Sequence, residues 1–182
     1  FWAVGQYDAV LHRHFATGVD NVRARRAGIC AIAVSQTLGL GLVTGAILRW
    51  RMLPEQSLAM ATRITVGVAL SFLAGWAVVT ASVLTILPNS PYQEVAGLVL
   101  GAALFVTLLT FVAPNARFRW PNGFTMVQLV WFCALDTIAA AFSLYIMIPS
   151  DAGLAFATLL PAFLIAYGAG LMSGSPGGIG AF

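Results

Sequence analysis

The sequence predicts an all-α integral membrane protein, a polytopic helix bundle with glycine-broken or re-entrant segments in the pattern of an inverted repeat. Three observations predict it. Hydrophobic residues fill 60% of the 182 positions and charged residues only 8%, with a mean hydropathy of +0.91, which is more apolar surface than one soluble core buries. The apolar residues fall in runs of roughly 20, the length a helix needs to cross a ~30 Å hydrocarbon core. Two of these runs are followed or interrupted by serine-led glycine clusters, Ser35 to Gly41 and Ser173 to Gly180, and such breaks in corresponding positions of two halves mark inverted-repeat transporters.

Composition also excludes. The nine basic side chains are all arginine, against six acids, for a formal charge of +3. They sit at segment ends, where topology and lipid headgroups account for them. No basic stripe or nucleic-acid motif is present, so no nucleic-acid partner is expected. Cys30 and Cys133 share no metal-like spacing and are expected to be small buried hydrophobes, and no metal or other cofactor is expected. The chain opens on Phe1 rather than a methionine and stops within a loop. We therefore expect residues 1–182 to be part of a single transmembrane domain in a longer chain.

Residues 1–19 read as the end of a helix leaving the membrane. Phe1, Trp2, Val4, Tyr7, Val10 and Leu11 recur at helical spacing, and polarity rises toward His12, Arg13 and His14. A short basic loop, 20–26, follows. Five apolar segments come next, at 27–48, 64–87, 95–113, 124–148 and 152–172, separated by Pro54, by Pro88 to Pro91, by Pro114-Asn115 with Pro121 to Gly123, and by Pro149 to Asp151.

Orientation exposes a conflict in the first of these segments. Arg23, Arg25 and Arg26 precede it while Arg49 and Arg51 follow, so both ends carry the cytoplasmic mark of the positive-inside rule. Either the segment spans and one basic cluster departs from the rule, or it enters, turns near Ser35, Gln36, Thr37, Gly39 and Gly41, and returns. Broken backbone of that kind persists at membrane depth only inside protein or beside a wet cavity.

Asp136 is the most informative single residue. It lies near the middle of the 124–148 segment, where a carboxylate costs about 2.5–3.5 kcal/mol on insertion scales. One reading makes it a site residue for a cationic headgroup or a gate; the other makes it a buried acid bonded through Thr137 or Ser143. Arg49 and Arg51 offer planar forks that match phosphate, and also serve as topology anchors. Asp8 and Arg13 read as a pair, a headgroup clamp or a solvated helix end, while Glu94 suits a helix N-terminus. Gly41 with Gly45 and Gly97 with Gly101 fit close helix packing. No Gly-x-Ser-x-Gly elbow, P-loop or metal-ligand set is present; His12 and His14, two apart, face different ways.

A resemblance gathers these residues. Tyr7-Asp8 with Arg13, Leu38-Gly39 with Thr44-Gly45 and Arg49-Trp50-Arg51, Leu135-Asp136 with Leu144-Tyr145 and Pro149, and Ser175-Pro176-Gly177-Gly178-Ile179-Gly180-Ala181-Phe182 together resemble the lysylphosphatidylglycerol synthase transmembrane family, the flippase half of the multiple peptide resistance factor proteins. The resemblance implies a multi-pass protein of the bacterial cytoplasmic membrane that moves aminoacylated phosphatidylglycerol, such as the lysyl form, to the outer leaflet and blunts cationic antimicrobial peptides. Phospholipid is the implied partner, with room for a homo-oligomer. In full-length members a later domain attaches the amino acid from aminoacyl-tRNA, so the parent chain can be a lysyltransferase although this piece is not expected to be an enzyme by itself. A membrane part of such a transferase and a structural transmembrane module are the other readings. In the flippase reading, Arg49 and Arg51 bind phosphate and Asp136 balances the aminoacyl ammonium. Ser35, Gln36, Gly177 and Gly178 line the two breaks, and Asp8 and Arg13 sit beside the headgroup path.

Overall fold

The computed structural model describes residues 2–38, 40–87, 90–112 and 121–173. Every regular element among them is helical: α1 (Trp2–His14), α2 (Asn21–Leu38), α3 (Gly41–Met52), α4 (Leu58–Ile86), α5 (Gln93–Val112), α6 (Gly123–Tyr145) and α7 (Phe156–Ser173), with one 3₁₀ turn at Ser150–Ala152. Helices α4, α6 and α7 are long and apolar enough to cross a membrane, and α5 carries a shorter apolar stretch, Gln93–Leu109. This is the all-α polytopic membrane class that the composition predicts. The closing glycine loop with Gly177 and Gly178, the basic pair Arg117 and Arg119, and Gly39 lie outside the described residues.

The chain forms two compact units, one of residues 1–73 with 165–182 and one of residues 74–164. In the first, α1 packs on α2 and α2 on α3. Two expectations change here. The stretch 20–26 is not a loop: Asp20 caps α2, its Oδ2 accepting from the backbone N–H of Val22 (2.9 Å) and Arg23 (3.4 Å), which satisfies N–H groups the first turn leaves unpaired. Arg23, Arg25 and Arg26 therefore ride on helix. The segment 27–48 is not one helix either, because it divides between α2 and α3.

The division falls at the serine-led glycine break. Leu40 adopts a left-handed backbone, φ 51°, and the carbonyl of Leu40 then accepts from Val43 N–H at 2.8 Å to start α3. Across the turn Thr44 Oγ1 donates to Ser35 Oγ (3.0 Å), and Ser35 Oγ to the Gly41 carbonyl (3.3 Å). The two helices thus run back along each other. At the hairpin's open end Arg23 bridges Glu55 at 2.9 Å, so the basic start of α2 and the basic end of α3 lie together. One end of a hairpin carries both clusters, which removes the orientation conflict. Its tip is apolar yet exposed, Leu38 at 68% and Leu40 at 73%, as suits contact with lipid rather than water.

In the second unit α5 packs on α6. Gly75 presses against Cys133, where an added Cβ would meet the Cys133 side chain at 3.0 Å. Trp76 Nε1 donates to the Leu164 carbonyl at 2.9 Å. Phe142, Tyr145 and Phe156 form a cluster of tilted and edge-on rings, with Tyr145 and Phe156 5.4 Å apart. Two smaller expectations fail. Cys133 is buried but Cys30 is exposed, and no described atom lies within 4 Å of a Cβ built on Gly97 or Gly101, so that glycine pair packs no helix among the described residues. Gly45 does pack closely, against Thr65, Ser35 and Arg49.

Candidate functional site

The polar centre of the first unit grows from α1. A helix places residues four apart on one face, so Asp8 and His12 share a side of α1, and that side is buried: Asp8 is fully enclosed and His12 nearly so. A buried carboxylate needs a partner. Arg49, in the last turn of α3, supplies it from 41 residues away: Nε donates to Asp8 Oδ1 at 2.9 Å and Nη2 to Oδ2 at 2.7 Å. This is a bidentate fork-on-carboxylate pair. The Arg49 side chain is only 2% exposed.

Arg49 makes two further bonds through Nη1. Nη1 donates to the Gly45 carbonyl (3.3 Å) and to Thr65 Oγ1 (3.2 Å), and Thr65 can accept because its own proton goes to the Ala61 carbonyl at 2.8 Å. The pair therefore ties α1, α3 and α4. Glycines make room for it. A Cβ on Gly28 of α2 would fall inside the Asp8 side chain, and one on Gly45 would meet Arg49 Nη1 at 3.1 Å and Thr65 Cγ2 at 3.2 Å.

Below the pair runs a narrow crevice lined by His12, Arg49, Leu53, Gln56, Met60 and Ala61. His12 Nδ1 lies 2.9 Å from Thr17 Oγ1. That hydroxyl gives its proton to the His12 carbonyl (3.3 Å) and accepts from Val19 N–H (3.4 Å), which assigns the proton of the neutral ring to Nδ1. Nε2 is then a buried acceptor, with no hydrogen-bond partner among the described residues. Gln56, also on the crevice, donates from Nε2 to the Thr17 carbonyl at 3.1 Å.

The structure thus brings two sequence candidates together and separates the others. Asp8 pairs with Arg49, not with Arg13, whose Nη1 reaches Asn21 Oδ1 at the long distance of 3.5 Å. Arg49 and Arg51 do not form one phosphate fork: Arg49 is sealed, whereas Arg51 is exposed with its guanidinium 5.6 Å from the Trp50 ring centre. Ser35 staples the hairpin and Gln36 is exposed on α2. His12, Thr65 and Gly28 were missed by the sequence reading. The four-residue spacing of Asp8 and His12 carried the signal for His12; the pairing that gives Thr65 and Gly28 their places is long-range.

In the second unit Asp136 is half-buried on α6 and makes no hydrogen bond or ion pair with a described residue. The hydroxyls offered as its partners are spoken for. Thr137 Oγ1 donates to the Cys133 carbonyl (2.8 Å) and Ser143 Oγ to that of Ala139 (2.8 Å), the back-bonding usual for helical Ser and Thr. Of the charged groups outside the apolar spans, exposed Glu55 is held below its ordinary acidity range, first by a hydrogen bond from its own backbone and then by Arg23.

No protein-family model matches the chain, and no solved structure matches it. It is 24% identical over 197 residues to an uncharacterized protein of Synechocystis sp., an alignment that takes in 97% of this chain and 60% of that protein. The chain therefore spans about three-fifths of the length of this relative.

Proposed function

We propose that this chain is the lipid-translocating part of a bacterial cytoplasmic-membrane protein, one that carries aminoacylated phosphatidylglycerol such as the lysyl form from the inner to the outer leaflet and so confers resistance to cationic antimicrobial peptides. The observation that carries the reading is Asp136. A carboxyl group partway along a helix long and apolar enough to span a membrane, with neither ion pair nor hydrogen bond among the described residues, is costly unless something cationic visits it. The ammonium of an aminoacyl headgroup is such a visitor.

One further feature, in the first unit, supports the reading. Arg51, exposed beside Trp50, keeps its fork available for a phosphodiester at the interface. Arg49 takes a different part from the one first expected: with its donors on Asp8, Thr65 and Gly45, it holds the hairpin rather than the lipid. The test uses proteoliposomes carrying lysyl-phosphatidylglycerol in the inner leaflet and an amine reagent that does not cross the bilayer. The wild-type chain in its full-length parent is expected to expose the lipid to the reagent, and Asp136→Asn to lose at least tenfold in rate. Equal rates in Asp136→Asn, wild type and empty vesicles would sink the reading.

A further inference from the structure

We propose that Nε2 of His12 is a proton-binding site coupled to the Asp8–Arg49 pair, so that binding a proton there releases the end of α1 from α3. The inference does not depend on what the protein transports.

Nδ1 of His12 is committed to Thr17, Nε2 is a buried lone pair without a donor among the described residues, and His12 and Arg49 line the same crevice. His12 sits in the last turn of α1, outside the three apolar spans. A proton arriving at Nε2 makes the ring a cation in a place that suits no cation. Burial is the largest influence and disfavours the charged ring, Arg49 adds repulsion, and Asp8 and Glu55 oppose both. The net result holds His12 below its ordinary value of 6.5.

On α1 itself Asp8 lies one turn away. From α3 comes Arg49, and from the loop after it Glu55. Helix α4 contributes Met60, Ala61 and Ile64 to the crevice, with its Arg63 set over Phe15 at 5.9 Å. On α2, Arg25 packs beside Gly5 toward the other end of α1. Among the described residues Asp8 offsets a charged His12 more than Glu55 does, and Asp8 is already shared with Arg49.

The closed arrangement therefore binds the proton poorly, and an opened one, with the ring in water, binds it normally. Linkage fixes the sign. Below pH 6.5 each unit of acid favours the open form, by up to tenfold for one proton, until the closed form's own lower value is reached. The opening removes α1 from a pair that also holds α3 and α4, so one titration moves three helices.

The chain contains two histidines, which makes the test direct. In lipid nanodiscs, the ring carbon shifts of ¹³C-labelled histidine are followed from pH 7.5 to 5.0 while amide exchange is measured over α1, α3 and α6. Exchange rates are corrected for the intrinsic effect of pH. The expected result is that the His12 ring titrates below its ordinary value of 6.5 and that its titration coincides with an approximately tenfold rise per pH unit in opening of α1 and α3, with α6 unchanged. His12→Asn, which keeps a donor for Thr17, is expected to abolish the pH dependence of opening. If His12 titrates with no change in α1 and α3 exchange, or if His12→Asn opens with the wild-type pH profile, the proposal is overturned. Should the variant fail to insert, the wild-type titration decides alone.

Discussion

Arg49 of α3 holds both carboxylate oxygens of Asp8 on α1, at 2.9 and 2.7 Å, with the two side chains 2% and 0% exposed. Bidentate geometry and the added bonds to Thr65 and Gly45 offset part of the desolvation that burying two charges entails. Removing one partner leaves the other charged and dry.

Asp8→Leu and Arg49→Met are each expected to cost about 3–5 kcal/mol, the range for breaking a buried pair. The double variant Asp8→Leu/Arg49→Met, which removes both charges, is expected to recover most of that loss. Denaturant unfolding in detergent micelles checks it. Additive single losses in the double variant would show that the two side chains do not act as a pair.

Gly28 stands against Asp8, where a methyl group has no room. Gly28→Ala is expected to push α1 off α2 and cost about 1–3 kcal/mol, as overpacking does. Gly97→Ala, with no described atom near the new methyl, is expected to be neutral or to gain up to about 1 kcal/mol from helix propensity. Thermal unfolding of the two variants side by side makes the comparison.

The same residues show what the sequence does and does not disclose. Helices were legible because apolar runs and proline-rich joints are local signals, and the break at Ser35 to Gly41 was legible because glycine and serine mark it. Asp20 reads as loop from sequence, since an N-cap and a loop acid look alike until the N–H groups of Val22 and Arg23 are seen to point at it. Sequence shows only proximity along the chain, so a pair with Arg13, a headgroup clamp and a solvated helix end all stay open for Asp8. Its true partner lies 41 residues away, and only the packing of α1, α2 and α3 brings it there. Asp136 was legible as an anomaly from charge and position alone.

The hairpin makes a topological prediction. With Cys30 and Cys133 replaced by serine or alanine, single cysteines at Val22 and Met52, both exposed, are expected to react with an impermeant maleimide from the same face of the membrane. Labelling from opposite faces would mean that α2 and α3 together span.

Glu55 makes a pH prediction. Its folded-state acidity is strengthened, so its contribution is present above its ordinary value of 4.5 and fades as pH falls through the lower folded value. Because its own backbone hydrogen bond is the larger cause, Arg23→Gln is expected to raise the Glu55 titration midpoint but not return it to 4.5. Carboxyl ¹³C shifts report this, and the Arg23 share is expected to vanish in about 1 M salt, where the Debye length is about 3 Å.

The central claim, that Asp136 recognises a cationic headgroup inside the membrane, is tested most directly by selectivity. Translocation of lysyl-phosphatidylglycerol and of unmodified phosphatidylglycerol is measured in the same reconstituted vesicles with wild type and Asp136→Asn. The account predicts that wild type prefers the lysyl lipid and that the variant loses that preference by losing the lysyl rate alone. An unchanged preference in Asp136→Asn would contradict it.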